Sequence, residues 1–137
     1  MNSWYRRAQR LPHWLYHGSL GDLETEIYAT GLRPGDESNR NWARSEPGYV
    51  NLIDSAKHAA KWVKSVYEDS SFRDFEWDTA TAVIFRVDVY QLNPQHLEAD
   101  PIQIPGAYRY RGAIPPSALA IMAREDWTQE LLKSVAA

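Results

Sequence analysis

The chain of 137 residues carries a formal net charge of −3, and 44% of its residues are hydrophobic, as in a soluble globular protein of one domain. It contains no cysteine, which excludes a disulfide framework, a thiolate zinc site and a thiol nucleophile. No apolar run approaches the roughly 18 residues that a membrane span needs, and the basic first segment lacks the apolar stretch of a signal peptide. We therefore expect a single cytoplasmic domain over residues 1–137, without a membrane partner.

The first segment predicts a strand followed by a helix. Residues 13–17 are a short run of apolar and aromatic residues, which favours a strand. The helical spacing of Leu20, Leu23 and Ile27 then predicts a helix, and Gly31 stands where a glycine would end it.

A polar, turn-rich loop over residues 33–47 leads to a second strand and a second helix. The strand is predicted over residues 48–54 and the helix over residues 55–69, with Ser55 or Asp54 as the residue that caps its start. The apolar face of this helix is predicted to contain Ala56, Ala59, Ala60 and Val63.

The second half of the chain is rich in strand patterns. After a polar loop, the strict alternation over residues 81–92 predicts the longest strand. A proline-marked loop covers residues 93–106, and residues 107–126 are predicted to form two strands around a Pro-Pro corner. Residues 127–137 are predicted to form a short terminal helix. Two early helices followed by several strands indicate an α+β fold with a small, mainly antiparallel sheet.

Three residues are candidates for chemistry: His17 after the first strand, Tyr49 in the second strand and Asp100 in the loop after the longest strand. Each also has an ordinary structural interpretation. His17 could be a polar residue at a strand end, Tyr49 a core ring with its hydroxyl at the surface, and Asp100 an aspartate that starts a turn before Pro101.

The order of these segments resembles the ADP-ribosyltransferase fold. The segments that carry the likeness are "YHGS", "GLRPG", "GYVNLIDSAKHAAKW", "LEADP", "YRYRGAIPP" and "REDW". They span about residues 14–127 and are most similar to the small bacterial enzymes that ADP-ribosylate rifamycin antibiotics. The resemblance implies a split antiparallel sheet with flanking helices, NAD as co-substrate and no metal.

The resemblance also implies roles for individual residues. His17 would hydrogen-bond the adenosine ribose, Gly18 would offer its backbone to the nicotinamide amide, and Tyr49 would stack on the nicotinamide ring. Asp100 would stabilise the oxocarbenium-like transition state, as a carboxylate does in glycoside hydrolysis. Glu98 is the alternative acidic residue.

Further residues are expected at the cofactor. Ser19 and Asn51 stand where threonine is common in the family, and Ser19 keeps the hydroxyl. Trp62 either walls the nicotinamide side or belongs to the core, and Arg109 either contacts the pyrophosphate or braces the loop of Asp100. The remaining histidines are too scattered to predict a metal site, namely His13, His58 and His96.

The predicted function is therefore NAD-dependent transfer of ADP-ribose to a protein, a nucleic acid or a small molecule, as in a toxin or a resistance factor. The loop over residues 33–47 is expected to select that acceptor. One alternative is an RNA 2′-phosphotransferase, but those enzymes carry a His-Val-His segment where this chain has "YVNL". The other is a module that binds NAD or a partner without catalysis.

Overall fold

The computed structural model describes residues 11–34, 48–68, 81–100 and 105–127, except for the side chains of residues 22 and 66–68. This part of the chain folds into one six-stranded antiparallel sheet with two helices, which confirms the predicted α+β class. The predicted terminal helix and most of the two long polar loops lie outside the described residues.

The strands follow the order β4-β5-β2-β1-β3-β6 across the sheet. Their bounds are Trp14–Leu20 for β1, Tyr49–Ile53 for β2, Thr81–Asp88 for β3, Leu97–Ala99 for β4, Ala107–Arg111 for β5 and Leu119–Asp126 for β6. The helices are α1, Glu24–Thr30, and α2, Ala56–Glu68. Neither helix is long and apolar enough to cross a membrane.

Strand β1 is longer than predicted and changes the position of His17. The strand was expected to end at His17, but it continues to Leu20. The reason is its neighbour β3, which pairs with β1 at seven consecutive positions from Trp14 to Leu20. His17 is therefore a residue in the middle of a strand rather than at its end.

Two other boundaries differ from the prediction. Strand β3 ends at Asp88 instead of continuing to Leu92, because the Asp88 carboxylate accepts a hydrogen bond from the Tyr90 amide and turns the chain. The short strand β4 lies inside the predicted proline-marked loop. Its three residues are too few to show a hydrophobic period, and they form a strand because β5 pairs with all three.

The predicted end of α1 and start of α2 are confirmed, whereas Leu20, predicted in the first helix, is the last residue of β1. Gly31 has a φ of 82°, and its amide donates to the Ile27 carbonyl at 2.7 Å, which closes the last turn of α1. The Ser55 hydroxyl accepts from the His58 amide at 3.3 Å, so Ser55 caps the start of α2.

The pleat of the sheet divides its apolar residues between two faces. The larger core lies on the α1 face; among its fully buried members are Leu15, Leu52, Phe85, Val87, Leu97 and Ile114. The smaller core lies between the sheet and α2 and contains Ile53, Ala59 and Ile84. Each strand position thereby belongs to one face of the sheet, and this determines the face from which each candidate side chain projects.

Candidate functional site

The centre of the sheet, between β1 and β2, is paired at a single position. Tyr16 of β1 is opposite Ile53 of β2, and no further position of these two described strands is in register. By contrast, β2 pairs with its other neighbour, β5, at five positions. We call residues 17–20 and 49–52 the β1–β2 junction, since the two strands separate there.

His17 closes this junction with its side chain. Its Nδ1 lies 2.8 Å from the Asn51 carbonyl oxygen, which only accepts hydrogen bonds, so Nδ1 carries a proton and donates it. Burial lowers the pKa of His17 below its usual 6.5, although the bond to Asn51 opposes this effect. The ring is therefore neutral at pH 7, and its Nε2 is left as a hydrogen-bond acceptor.

Gly18 and Ser19 have structural reasons for their identities. A Cβ on Gly18 would lie 2.6 Å from the Ala59 carbonyl oxygen and would collide with the Val63 side chain, so Gly18 lets α2 pack directly on β1. Ser19 is only 3% exposed, in a pair with Val83 of β3. The sequence could not distinguish this close packing from a ligand's approach to the glycine.

Tyr49 lies at the first position of β2 and faces the same side of the sheet as Tyr16 and Ile53. The Arg109 guanidinium lies over its ring, 4.4 Å from the centroid. One face of the ring is therefore occupied, and a flat ligand can stack only on the other. His17 belongs to the opposite face by the alternation of the strand, so the sheet does not bring the His17 and Tyr49 side chains to one surface.

Arg109 is held between Tyr49 and Glu98. Its Nε donates to Glu98 Oε1 at 2.6 Å, and its side chain is 16% exposed. Arg109 is also in register with Asn51 on one side and with Glu98 on the other, so the three residues form one row across β2, β5 and β4. This contact matches the second predicted role of Arg109, because it ties Arg109 to β4 two residues before Asp100.

Asp100 lies just beyond β4, at the opposite end of β2 from Tyr49. Its amide donates to the Ala107 carbonyl at 3.0 Å, and Ala107 is in register with Ile53. Counting about 3.3 Å per residue and about 4.8 Å per strand, the backbones of Asp100 and Tyr49 are roughly 16 Å apart. Asp100 is thus level with the single Tyr16–Ile53 pair, where the junction begins, rather than with Tyr49.

Trp62 packs against the smaller core on the α2 face. This contact matches the core interpretation of Trp62 and leaves its predicted role beside nicotinamide without support. A cavity of about 330 Å³ lies elsewhere, between the start of α1 and strands β3 and β6, with Glu24, Thr81 and Arg124 among its lining residues. None of the predicted site residues lines this cavity.

Sequence reasoning missed a stack of side chains at the start of β1. His13 lies between the rings of Trp14 and Tyr90, at 3.9 Å and 4.1 Å, and the Arg86 guanidinium lies 4.2 Å from the Trp14 ring. The aromatic residues are visible in the sequence, but their contacts depend on the register of β1 with β3. Among the described residues, no group of three His, Cys, Asp or Glu side chains could hold a metal ion.

Neither a scan against protein-family models nor a search of curated proteins found a match to this chain.

Proposed function

We propose that this protein is an NAD-dependent ADP-ribosyltransferase, which transfers ADP-ribose to an acceptor and releases nicotinamide. The observation that supports this proposal best is the β1–β2 junction, where two central strands separate after one pair and a neutral histidine fills the opening. The resemblance of the sequence implies a split antiparallel sheet and a histidine, His17, that binds the adenosine ribose.

The fixed tautomer of His17 suits a binding role. The Asn51 carbonyl holds the Nδ1 proton, so Nε2 can accept a hydrogen bond from a ribose hydroxyl. The lowered pKa keeps the ring neutral and makes it a weak base. We therefore assign His17 the orientation of the sugar, since misplaced reactants cost rate steeply.

The leaving group and the developing cation need two further groups. Tyr49 offers nicotinamide the face of its ring that Arg109 does not cover. Asp100 supplies negative charge for the oxocarbenium-like state. Glu98 suits that role less well, because its carboxylate already accepts a short hydrogen bond from Arg109.

The acceptor is a protein, a nucleic acid or a small molecule, and most of the loop expected to select it lies outside the described residues. The direct experiment incubates the protein with labelled NAD and a cell lysate, and identifies the labelled product by mass spectrometry. Nicotinamide release is measured in parallel for wild type, His17→Ala and His58→Ala. His58 is the matched control, because it is an exposed histidine on α2.

We expect His17→Ala to lose release while His58→Ala retains it. Equal release from wild type and His17→Ala would exclude the role of His17. A basic limb of the pH–rate profile that disappears only in His17→Ala would instead make His17 a proton-transfer group.

A second candidate is a module that binds NAD without cleaving it. It is favoured by the separation of Asp100 and Tyr49 at opposite ends of β2, and by the pairing of Glu98 with Arg109. Calorimetric binding of NAD combined with background nicotinamide release would identify this function.

A further inference from the structure

The stack at the start of β1 ends in an arginine that has no ion-pair partner among the described residues. We call Arg86, Trp14, His13 and Tyr90 the Arg86 stack. Arg86 is partly buried on β3, directly opposite Tyr16 of β1, and its guanidinium lies flat on Trp14 at 4.2 Å.

The rest of the stack is tied in place by Asp88. Its carboxylate lies 3.2 Å from His13 Nε2 and accepts from the Tyr90 amide at 3.2 Å and from Gln91 Nε2 at 3.0 Å. These three groups occupy the Asp88 carboxylate. Asp88 and Arg86 project from the same face of β3, but they form no ion pair. Trp14 is thus held between a fixed imidazole and the guanidinium.

Arg86 has unmet hydrogen-bonding capacity. Its Nε is the one buried side-chain nitrogen or oxygen without a hydrogen-bond partner among the described residues. No carboxylate of the described chain lies within ion-pair distance of its guanidinium. A partly buried cation without a partner costs free energy, because lost hydration is not replaced.

We propose that Arg86 is the anchor of a binding site for a phosphate group. A guanidinium presents donors in a planar fork that matches two oxygens of one phosphate, and such charge-assisted bonds are about twice as strong as neutral ones. The Trp14 ring holds the plane of the fork, so little side-chain freedom is lost when the anion binds. The phosphate supplies the negative charge that Arg86 does not find among the described residues, and its oxygens bind the Nη atoms, because Nε is buried.

This site does not depend on the proposed ADP-ribosyltransferase activity. Arg86 lies on the β3 side of β1, whereas the β1–β2 junction lies on the other side. The phosphate can come from inorganic phosphate or from a nucleotide, and the experiment distinguishes these sources.

The test measures thermal unfolding of the full chain against the concentration of potassium phosphate, with ionic strength held constant by potassium chloride. A ligand that binds only the folded state raises the melting temperature as its concentration passes the dissociation constant. We expect the wild type to show this rise, and Arg86→Met to bind phosphate at least tenfold more weakly. Arg86→Met keeps an unbranched side chain against Trp14 but has no charge.

Arg124→Met is the matched control, because Arg124 is an exposed arginine that already pairs with Glu24 at 2.7 Å. This control should keep the full phosphate effect. In chloride alone, Arg86→Met should melt no lower than the wild type, since it removes an unpaired cation. Arg86→Lys, which keeps the charge without the fork, should give an intermediate phosphate effect.

Two results would overturn the proposal. The first is an equal phosphate effect in wild type and Arg86→Met. The second is a wild type whose melting temperature does not respond to phosphate, and a lower melting temperature of Arg86→Met in chloride would then make Arg86 a packing residue of Trp14.

Adenosine monophosphate and NAD are then titrated in place of phosphate. An Arg86-dependent shift at a lower concentration than phosphate requires would identify the phosphate of a nucleotide as the ligand. Equal effects of phosphate and adenosine monophosphate would identify the phosphate group alone. Because the first titration contains no NAD, its failure is separate from a failure of the proposed function.

Discussion

Strand β1 has two neighbours that hold it in different ways. With β3 it forms seven consecutive pairs, and α2 packs on the same strand through Gly18. With β2 it shares the single pair Tyr16–Ile53, and the side chain of His17 replaces further backbone pairing. The comparison indicates that the β3 side of β1 contributes most of its backbone pairing, while on the β2 side the two strands separate beside His17.

The largest expected effect concerns the carboxylate on the β2 side. Asp100→Ala should lower nicotinamide release by about 10²-fold while NAD still binds, because a charge that stabilises the transition state contributes little to ground-state binding. The measurement combines steady-state nicotinamide release with calorimetry of NAD binding.

Asp100→Asn and Glu98→Gln form the matched pair for this prediction. An active Asp100→Asn beside an inactive Glu98→Gln would move the catalytic acid to Glu98. Activity in both variants would leave neither carboxylate with a catalytic role and favour the binding module.

The next effect tests the packing of α2 on β1. Gly18→Ala should reduce the free energy of unfolding by about 2 kcal/mol, because the new methyl group meets the Ala59 carbonyl and the Val63 side chain. Denaturant unfolding measures this loss, and Lys57→Ala on the exposed face of α2 should change it by less than about 0.5 kcal/mol. A stable Gly18→Ala that no longer binds NAD would show that the glycine serves a ligand instead.

Protonation of His17 should weaken the junction selectively. Because its pKa is lowered in the folded protein, the unfolded chain binds the proton more readily below pH 6.5. Stability is therefore full above about pH 6.5 and declines as pH falls towards the lowered value, by at most about 1.4 kcal/mol per pH unit for one proton.

The control for this pH effect is His17→Gln, whose amide can still donate to the Asn51 carbonyl. The free energy of unfolding of both proteins is measured between pH 7.5 and pH 5. It should fall less steeply with falling pH in His17→Gln than in the wild type. Asp88 does not contribute to the pH dependence in this range. Hydrogen bonds, chiefly from Gln91, lower its pKa below 3.8, so its contribution is lost only in stronger acid. An equal pH dependence of the unfolding free energy in both proteins would contradict the neutral state of the partly buried His17.

Sequence patterns predicted the local features of this fold and little of its pairing. The alternation in β3, the glycine that ends α1 and the cap at Ser55 are each encoded within a few residues. The extent of β1 and the existence of β4 are not encoded locally, because both depend on backbone pairing with a neighbouring strand. The β1–β3 register lengthens β1, and β5 makes a strand of three residues that have no period of their own.

The candidate site has the same limit. His17 and Asn51 are 34 residues apart, and Glu98 and Arg109 are 11 apart, so no local pattern reveals that they bond. The resemblance of the sequence selected most of these residues individually. It could not predict that the side chains of His17 and Tyr49 project from opposite faces of the sheet. Nor could it predict that Arg109 already occupies one face of the Tyr49 ring.

The smallest effect tests the contact between Tyr49 and Arg109, which joins β2 to β5 beside the junction. A cation over an aromatic ring at a partly exposed site contributes about 0.5–1 kcal/mol. Arg109→Met alone should cost more than this, because it also leaves Glu98 without its partner.

A double-mutant cycle isolates the ring contact from that second loss. It combines Tyr49→Leu with Arg109→Met and should give a coupling free energy of about 0.5–1 kcal/mol. The same cycle with Arg111→Met, the exposed register partner of Tyr49, is the control and should give a smaller value. Tyr49→Phe keeps the ring and should leave the coupling with Arg109 unchanged. If both cycles give zero, the guanidinium does not hold the Tyr49 ring, and both faces of the ring are available for stacking.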